Sequence, residues 1–287
     1  MRSMLFLTTL LVFVGSGATL LGRGGSAVND SPLFGSGLTS APTYQLSVPP
    51  GGREGGQDIS AHWFAVPGSR FLAGTDHWIM GSYFFPGDMP VARDWAVVWN
   101  FHTQSGDIGW PVGVSPVLLD ITDGFVQVLT HGGGTLGTVD GVQQPVSTTK
   151  RTFPKLCQLP ILRDRWSDWV MHVKFDSRHG YVKLWQNGTL IVNANNIPTL
   201  YTNERTIQLW VGFYTNGAAN PGKTFSMQLT LPRLGSTYRA AAENTPGPAT
   251  QWGSLAFDPS VVQKIAPRPP NAFVYPRSLA GRAKCGR

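Results

Sequence analysis

Charge is scarce in this chain. Only 14% of its 287 residues are Asp, Glu, Lys or Arg, and only three are glutamates, at positions 54, 204 and 243. None of the three stands in an alternating apolar run beside an Asp, which counts against the two facing carboxyls of a glycosidase. Cysteine is scarcer still: Cys157 and Cys285 lie too far apart for a metal motif, and the dispersed histidines form no His-x-His or His-Glu pair, so zinc-ligand spacing is missing. No Gly-x-Ser-x-Gly elbow is present, and Gly132-Gly133-Gly134 lacks the Lys-Thr that would follow in a phosphate-binding loop. Long helical periodicity is absent. The net charge of +7 favours a polyanionic partner, but no run of five or more cations occurs, which counts against nucleic acid.

What is abundant is Gly (34), Pro (22) and Trp (10), a composition suited to short strands, tight turns and an aromatic-rich surface. The N-terminus has the layout of a secretory signal: Met1-Arg2, an apolar run from Met4 to Val14 too short to span a bilayer, then small residues through Ala18. Cleavage is expected after Ala18 or Ala27, giving a secreted protein without stable membrane insertion. Residues 1–27 are thus signal and the start of a linker, 28–43 a Ser, Gly and Pro-rich linker, 44–240 one folded domain, and 241–287 a Pro-rich basic tail. In an exported protein Cys157 and Cys285 either form one bridge or stay free.

Between Tyr44 and Leu231 about a dozen short strands alternate with turn signals, which predicts an all-β, two-sheet antiparallel β-sandwich of jelly-roll type. Asp123-Gly124 and Asn187-Gly188 are hairpin turns by pattern. Along Trp169 to Phe175, alternation sends Trp169, Met171, Val173 and Phe175 inward and His172 and Lys174 outward. The segment organising the domain is Trp95 to His102. Strict alternation there would bury Trp95, Val97, Trp99 and Phe101 and turn Ala96, Val98, Asn100 and His102 the other way, setting an amide and an imidazole on one face. On Thr206 to Tyr214, Gln208, Trp210 and Tyr214 share a face.

A cationic, aromatic protein with His, Tyr, Asn, Lys and Arg on strand faces has the groups that β-elimination from a uronate requires: a carboxylate neutraliser, a base for C5–H and an acid for O4. The ordered motifs are Gly74-Thr-Asp-His-Trp, Asn100-Phe-His102, Gly180-Tyr-Val-Lys-Leu-Trp-Gln-Asn-Gly188 and Leu209-Trp-Val-Gly-Phe-Tyr214. With them the chain resembles the heparin lyase I-like polysaccharide lyases, over Tyr44 to Arg239. The resemblance implies a concanavalin A-like jelly roll that cleaves an acidic polysaccharide, with His102 and Tyr214 in proton transfer and Asn100 at the carboxylate. Substrate contacts are expected from Trp210 and Gln208 as well. It also exposes departures: the family's Arg-x-Glu-Leu should fall near Asp58 to His62, a stretch that holds no Arg or Glu, Trp210 replaces a Lys and Thr215 an Arg. Lys174, His172 and Lys183 are the cations nominated to take over. No metal site or cofactor is expected, a structural calcium ion being the one addition left open, and the protein is expected to be monomeric. A non-catalytic carbohydrate-binding module with Trp210 as sugar platform is the alternative, and a structural capsid-type jelly roll a third.

Overall fold

The computed structural model describes residues 42–50, 52–54, 57–103, 115–139, 142–146, 151–152, 159–244 and 262–265. The export signal, most of the linker and both cysteines lie outside the described residues. Two antiparallel eight-stranded sheets make up the body. Sheet A runs β14 (Thr189–Ile197), β13 (Gly180–Gln186), β12 (Trp166–Lys174), β4 (Asp76–Phe84), β16 (Phe225–Thr230), β1 (Thr43–Val48) and β18 (Val262–Ile265), with β17 (Arg233–Gly235) also on β4. Sheet B runs β10 (Arg151–Thr152), β7 (Phe125–Thr130), β6 (Val117–Asp120), β5 (Ala96–Thr103), β15 (Thr206–Asn216), β3 (Gln57–Leu72) and β2 (Gly52–Glu54), with β11 (Leu159–Pro160) on β7. A separate hairpin pairs β8 (Leu136–Val139) with β9 (Val142–Pro145). The architecture is the jelly-roll sandwich. Strand β18 falls in the stretch read as tail and pairs with β1 at the edge of sheet A.

Alternation explains how the sheets meet. Trp169, Met171, Val173 and Phe175 are fully buried from sheet A, and Trp99, Phe101, Leu209, Val211 and Phe213 are buried against them from sheet B. Trp169 stacks on Tyr83 at 4.9 Å between ring centroids and meets Trp99 edge-on at 6.1 Å. Each such side chain contributes roughly 1.5–3 kcal/mol relative to exposure. Gly81 permits a close approach between the sheets, since a Cβ there would lie 3.0 Å from the Trp99 ring. Both turns read from sequence form with left-handed residues: Asn187 (φ 47°) and Gly188 (φ 82°) join β13 to β14, and Asp123 (φ 54°) and Gly124 (φ 81°) join β6 to β7.

Strict alternation fails on β5. Ala96 and Val98 join Trp99 and Phe101 in the core cluster while Val97 does not, because an irregularity between Val97 and Trp99 sets one extra residue of β5 against β6. Asp120, directly across from Val97, holds the start of this strand: Oδ2 accepts the Ala96 N–H at 2.9 Å, and Oδ1 accepts the Thr122 N–H at 2.7 Å and the Gln127 amide at 2.8 Å. Burial raises the Asp120 pKa above the ordinary carboxylate value, against the lowering pull of those hydrogen bonds. A folded-state pKa raised above the unfolded one gives stability that is complete below the unfolded value and is lost as pH rises toward the folded one. Urea unfolding of the native protein and an Asp120→Asn variant is therefore expected to show the native protein losing ground to the variant as pH rises from about 3. A difference between the two that does not change with pH would remove Asp120 from this role.

Candidate active site on sheet B

The core-facing residues of β5 and β15 fix what faces outward. With Phe101, Ile207, Leu209 and Val211 fully buried, the half-buried Asn100, His102, Gln208 and Trp210 between them project from the other side of sheet B. Pairing sets them in two rows. Gln208 stands directly across from His102, and Trp210 directly across from Asn100, which in turn faces Leu118 of β6. The His102 and Trp210 rings tilt toward each other with centroids 6.2 Å apart. Asn100 Oδ1 is buried and has no hydrogen-bond partner among the described residues. Because that oxygen is an acceptor, any hydrogen bond from Asn100 to a carboxylate comes from its Nδ2 amide hydrogens.

A residue that the sequence motifs did not nominate completes the first row. Arg70 of β3 lies directly across Gln208, so His102, Gln208 and Arg70 occupy one line over three strands, within roughly 10 Å at the usual strand spacing. Arg70 reaches this place because β3 is irregular: Gln208 pairs with Arg70 but Trp210 pairs with Ala65, so several residues of β3 span a two-residue step of β15. Gly68 adopts φ 71° in that excursion, and the Ser69 hydroxyl seals it by donating to the Val66 carbonyl and accepting the Leu209 N–H. Pro67-Gly68 inside a strand was the sequence signal for such a break. Among the described residues neither row contains an Asp or Glu.

Tyr214 shares this face without sharing the position. It pairs with Val97, five residues along β5 from His102 and past an irregular step of β15, so the two backbones stand roughly 16 Å apart at about 3.3 Å per residue. Its ring packs on Trp95, centroids 4.7 Å apart, and the neighbouring Thr215 hydroxyl donates to the Trp95 carbonyl. The face thus carries a cation, amide and imidazole cluster at one end and an aromatic pair at the other.

His172, Lys174 and Lys183 are not brought to this cluster. They belong to β12 and β13 of sheet A and point away from the core on the far side of the sandwich, so they cannot stand in for the absent cations beside His102. His77 is half-buried against Phe71 and Phe175, and burial lowers its pKa despite the attraction of Asp76. Among the described residues no three His, Cys, Asp or Glu converge as metal ligands, and no helix is long and apolar enough to cross a membrane.

The model of the family described as polysaccharide lyase matches residues 65–229, more than half of the chain. The protein belongs to the polysaccharide lyase family. The match begins at the pairing partner of Trp210 and ends within β16, so Arg70, Asn100, His102, Gln208, Trp210 and Tyr214 all fall inside the family region. Among solved structures, the chain superposes on an endo-β-1,4-glucuronan lyase from the fungus Trichoderma reesei with a TM-score of 0.55 at 14% identity, covering 70% of this chain and 84% of that one. Looser matches include the alginate lyase Aly36B (TM-score 0.40, 12% identity, 67% of this chain and 80% of that one). Another is the alginate lyase vAL-1 from Chlorella virus (TM-score 0.41, 10% identity, 67% and 91%). At these identities the likeness to the glucuronan lyase concerns the fold. Comparison with curated protein sequences finds no match.

Proposed function

We propose that this family member cleaves an acidic, uronate-containing polysaccharide by β-elimination on the outer face of sheet B. The observation that carries the reading is the line of Arg70, Gln208 and His102, a cation, an amide and an imidazole in one row with no carboxylate in it. Arg70 and the Asn100 and Gln208 amides bind the uronate carboxylate and stabilise the charge that builds on it as C5–H is lost. His102 takes that proton. The C–H electrons become the C4–C5 double bond as the C4–O4 bond breaks, and in a syn elimination the same imidazole returns the proton to O4, so one group closes the balance. Trp210 offers a face to a sugar ring, and the Trp95–Tyr214 pair holds the chain further along the groove.

Glucuronan and alginate, named for the structural neighbours, are both polyuronates and head the substrate panel. The closer affiliation with heparin lyase I-like enzymes, supported by the ordered motifs, adds heparin to it. Export by the N-terminal segment belongs to the same proposal, and N-terminal sequencing of secreted material should begin after Ala18 or Ala27. Incubation with the panel is expected to raise the ultraviolet absorbance of an unsaturated product with at least one polyuronate and none with a neutral glucan. Polymer binding without any such product would sink the enzyme reading in favour of a binding module.

A further inference from the structure

The outer face of sheet A is divided in two. Over one end, helix α1 (Tyr238–Glu243) covers Trp78, Met80, Val170 and Trp185 through Ala241 and Tyr238. From the edge of that cover outward, two largely polar rows cross four strands, the second starting at Trp78 itself. Asp76, Lys174, Tyr181 and Asn195 pair in sequence from β4 to β14, and beside them run Trp78, His172, Lys183 and Asn193. The centre is rigid. His172 Nε2 lies 3.0 Å from Asp76 Oδ2 and 2.7 Å from the Tyr181 hydroxyl, which donates to the same carboxylate oxygen at 2.9 Å. The imidazole also stacks flat on Trp78, 4.1 Å between centroids and 11° between planes.

This network is built for holding and not for proton transfer. Burial, then the hydrogen bond and charge of Asp76, push the Tyr181 phenol far above its ordinary pKa, so it is no base. For Asp76, burial would raise the pKa, but the His172 and Tyr181 hydrogen bonds outweigh it and keep the carboxyl ionised below its usual range. Around this fixed centre stand the donors: Lys183 lies over the Tyr181 ring at 5.7 Å, Lys174 sits 3.7 Å from Asp176, and the Asn193 and Asn195 side chains are exposed. The contacts of Lys183 with the Tyr181 ring, of Lys174 with Asp176 and of the Asn195 amide with Asn193 Oδ1 restrict these side chains, which lowers the entropy lost on binding.

From this the geometry points to a second glycan site: the polar rows of sheet A bind an acidic polysaccharide chain lying across β4, β12, β13 and β14, on the side of the sandwich opposite His102. Lysine ammonium groups take the carboxylates and the asparagine amides take hydroxyls. A surface spanning roughly 14 Å over four strands suits a polymer segment and not a single sugar. The inference shares only the polymer class with the elimination reading. Neither requires the other's residues.

Affinity electrophoresis of the full chain through gels containing glucuronan or alginate, with dextran as the neutral control, tests it independently of any absorbance assay. An Arg70→Ala/Asn100→Ala/Trp210→Ala variant, stripped of the cation, the amide and the ring that hold polymer on sheet B, is expected to remain retarded. Adding Lys174→Gln and Lys183→Gln should weaken that residual binding roughly fivefold, the scale of two exposed ion pairs. The exposed pair Asn193→Asp/Asn195→Asp, which threatens the fold least, should weaken it too by adding negative charge. Complete loss of retention in the sheet B variant, or lysine and asparagine variants that migrate like their parent, would overturn the second site. Absence of unsaturated product with retention intact would count against elimination alone.

Discussion

His102→Ala is expected to lower the elimination rate on the best polyuronate by roughly 10² to 10⁴, the usual consequence of removing a positioned proton-transfer group. The fall should appear in kcat with little change in KM, because the imidazole acts on the proton in flight and contributes little to holding the polymer. Tyr214→Phe is expected to behave differently. The motif resemblance pairs Tyr214 with His102 in proton transfer, yet the phenol pairs with Val97, six residues along β15 from the His102 row. The pairing therefore sets His102, and not Tyr214, in one row with Arg70 and Gln208. Losing only the hydroxyl should leave turnover near the native value, whereas Trp95→Ala, which strips away the ring packed on Tyr214 at 4.7 Å, should raise KM on long substrates. Initial rates for the three variants decide it: a Tyr214→Phe loss as deep as that of His102→Ala would return the chemistry to the tyrosine end of the face.

Where the sequence was legible, local chemistry and tertiary packing agreed. Trp169, Met171, Val173 and Phe175 alternate into the core as read, and Asn187-Gly188 turns where φ > 0 demanded it. The outward pairing of Asn100 with His102 was legible for the same reason, two alternating residues beyond the irregular step. The misreadings come from irregularities that period-2 reasoning cannot see. An extra residue near Val98 reverses Ala96, Val97 and Val98, and it is held by Asp120, a buried carboxylate from another strand. Assignment of strands to sheets is equally hidden: nothing in the order of residues says that β5 and β12 lie in different layers, so sequence alone does not separate His172, Lys174 and Lys183 from His102 on the opposite side of the sandwich.

Arg70 is the clearest case, and its removal carries the second large effect. The family's motif order puts its cation near Asp58 to His62, a stretch without Arg, while the Val66–Ser69 excursion of β3 delivers Arg70 to the row of His102 and Gln208. If that guanidinium meets the uronate carboxylate, its hold tightens as C5–H breaks and charge spreads onto the carboxylate oxygens, so the transition state gains more than the bound substrate. Arg70→Ala is therefore expected to cost roughly 10² to 10³ in kcat, the scale of one lost preorganised donor to a developing anion. Arg70→Lys should recover part of it, since a lysine restores the charge but not the planar two-point contact. The ratio of effects is the informative quantity. A rise in KM with kcat untouched would mean that Arg70 only gathers the polymer, and carboxylate neutralisation would then rest on the Asn100 and Gln208 amides alone.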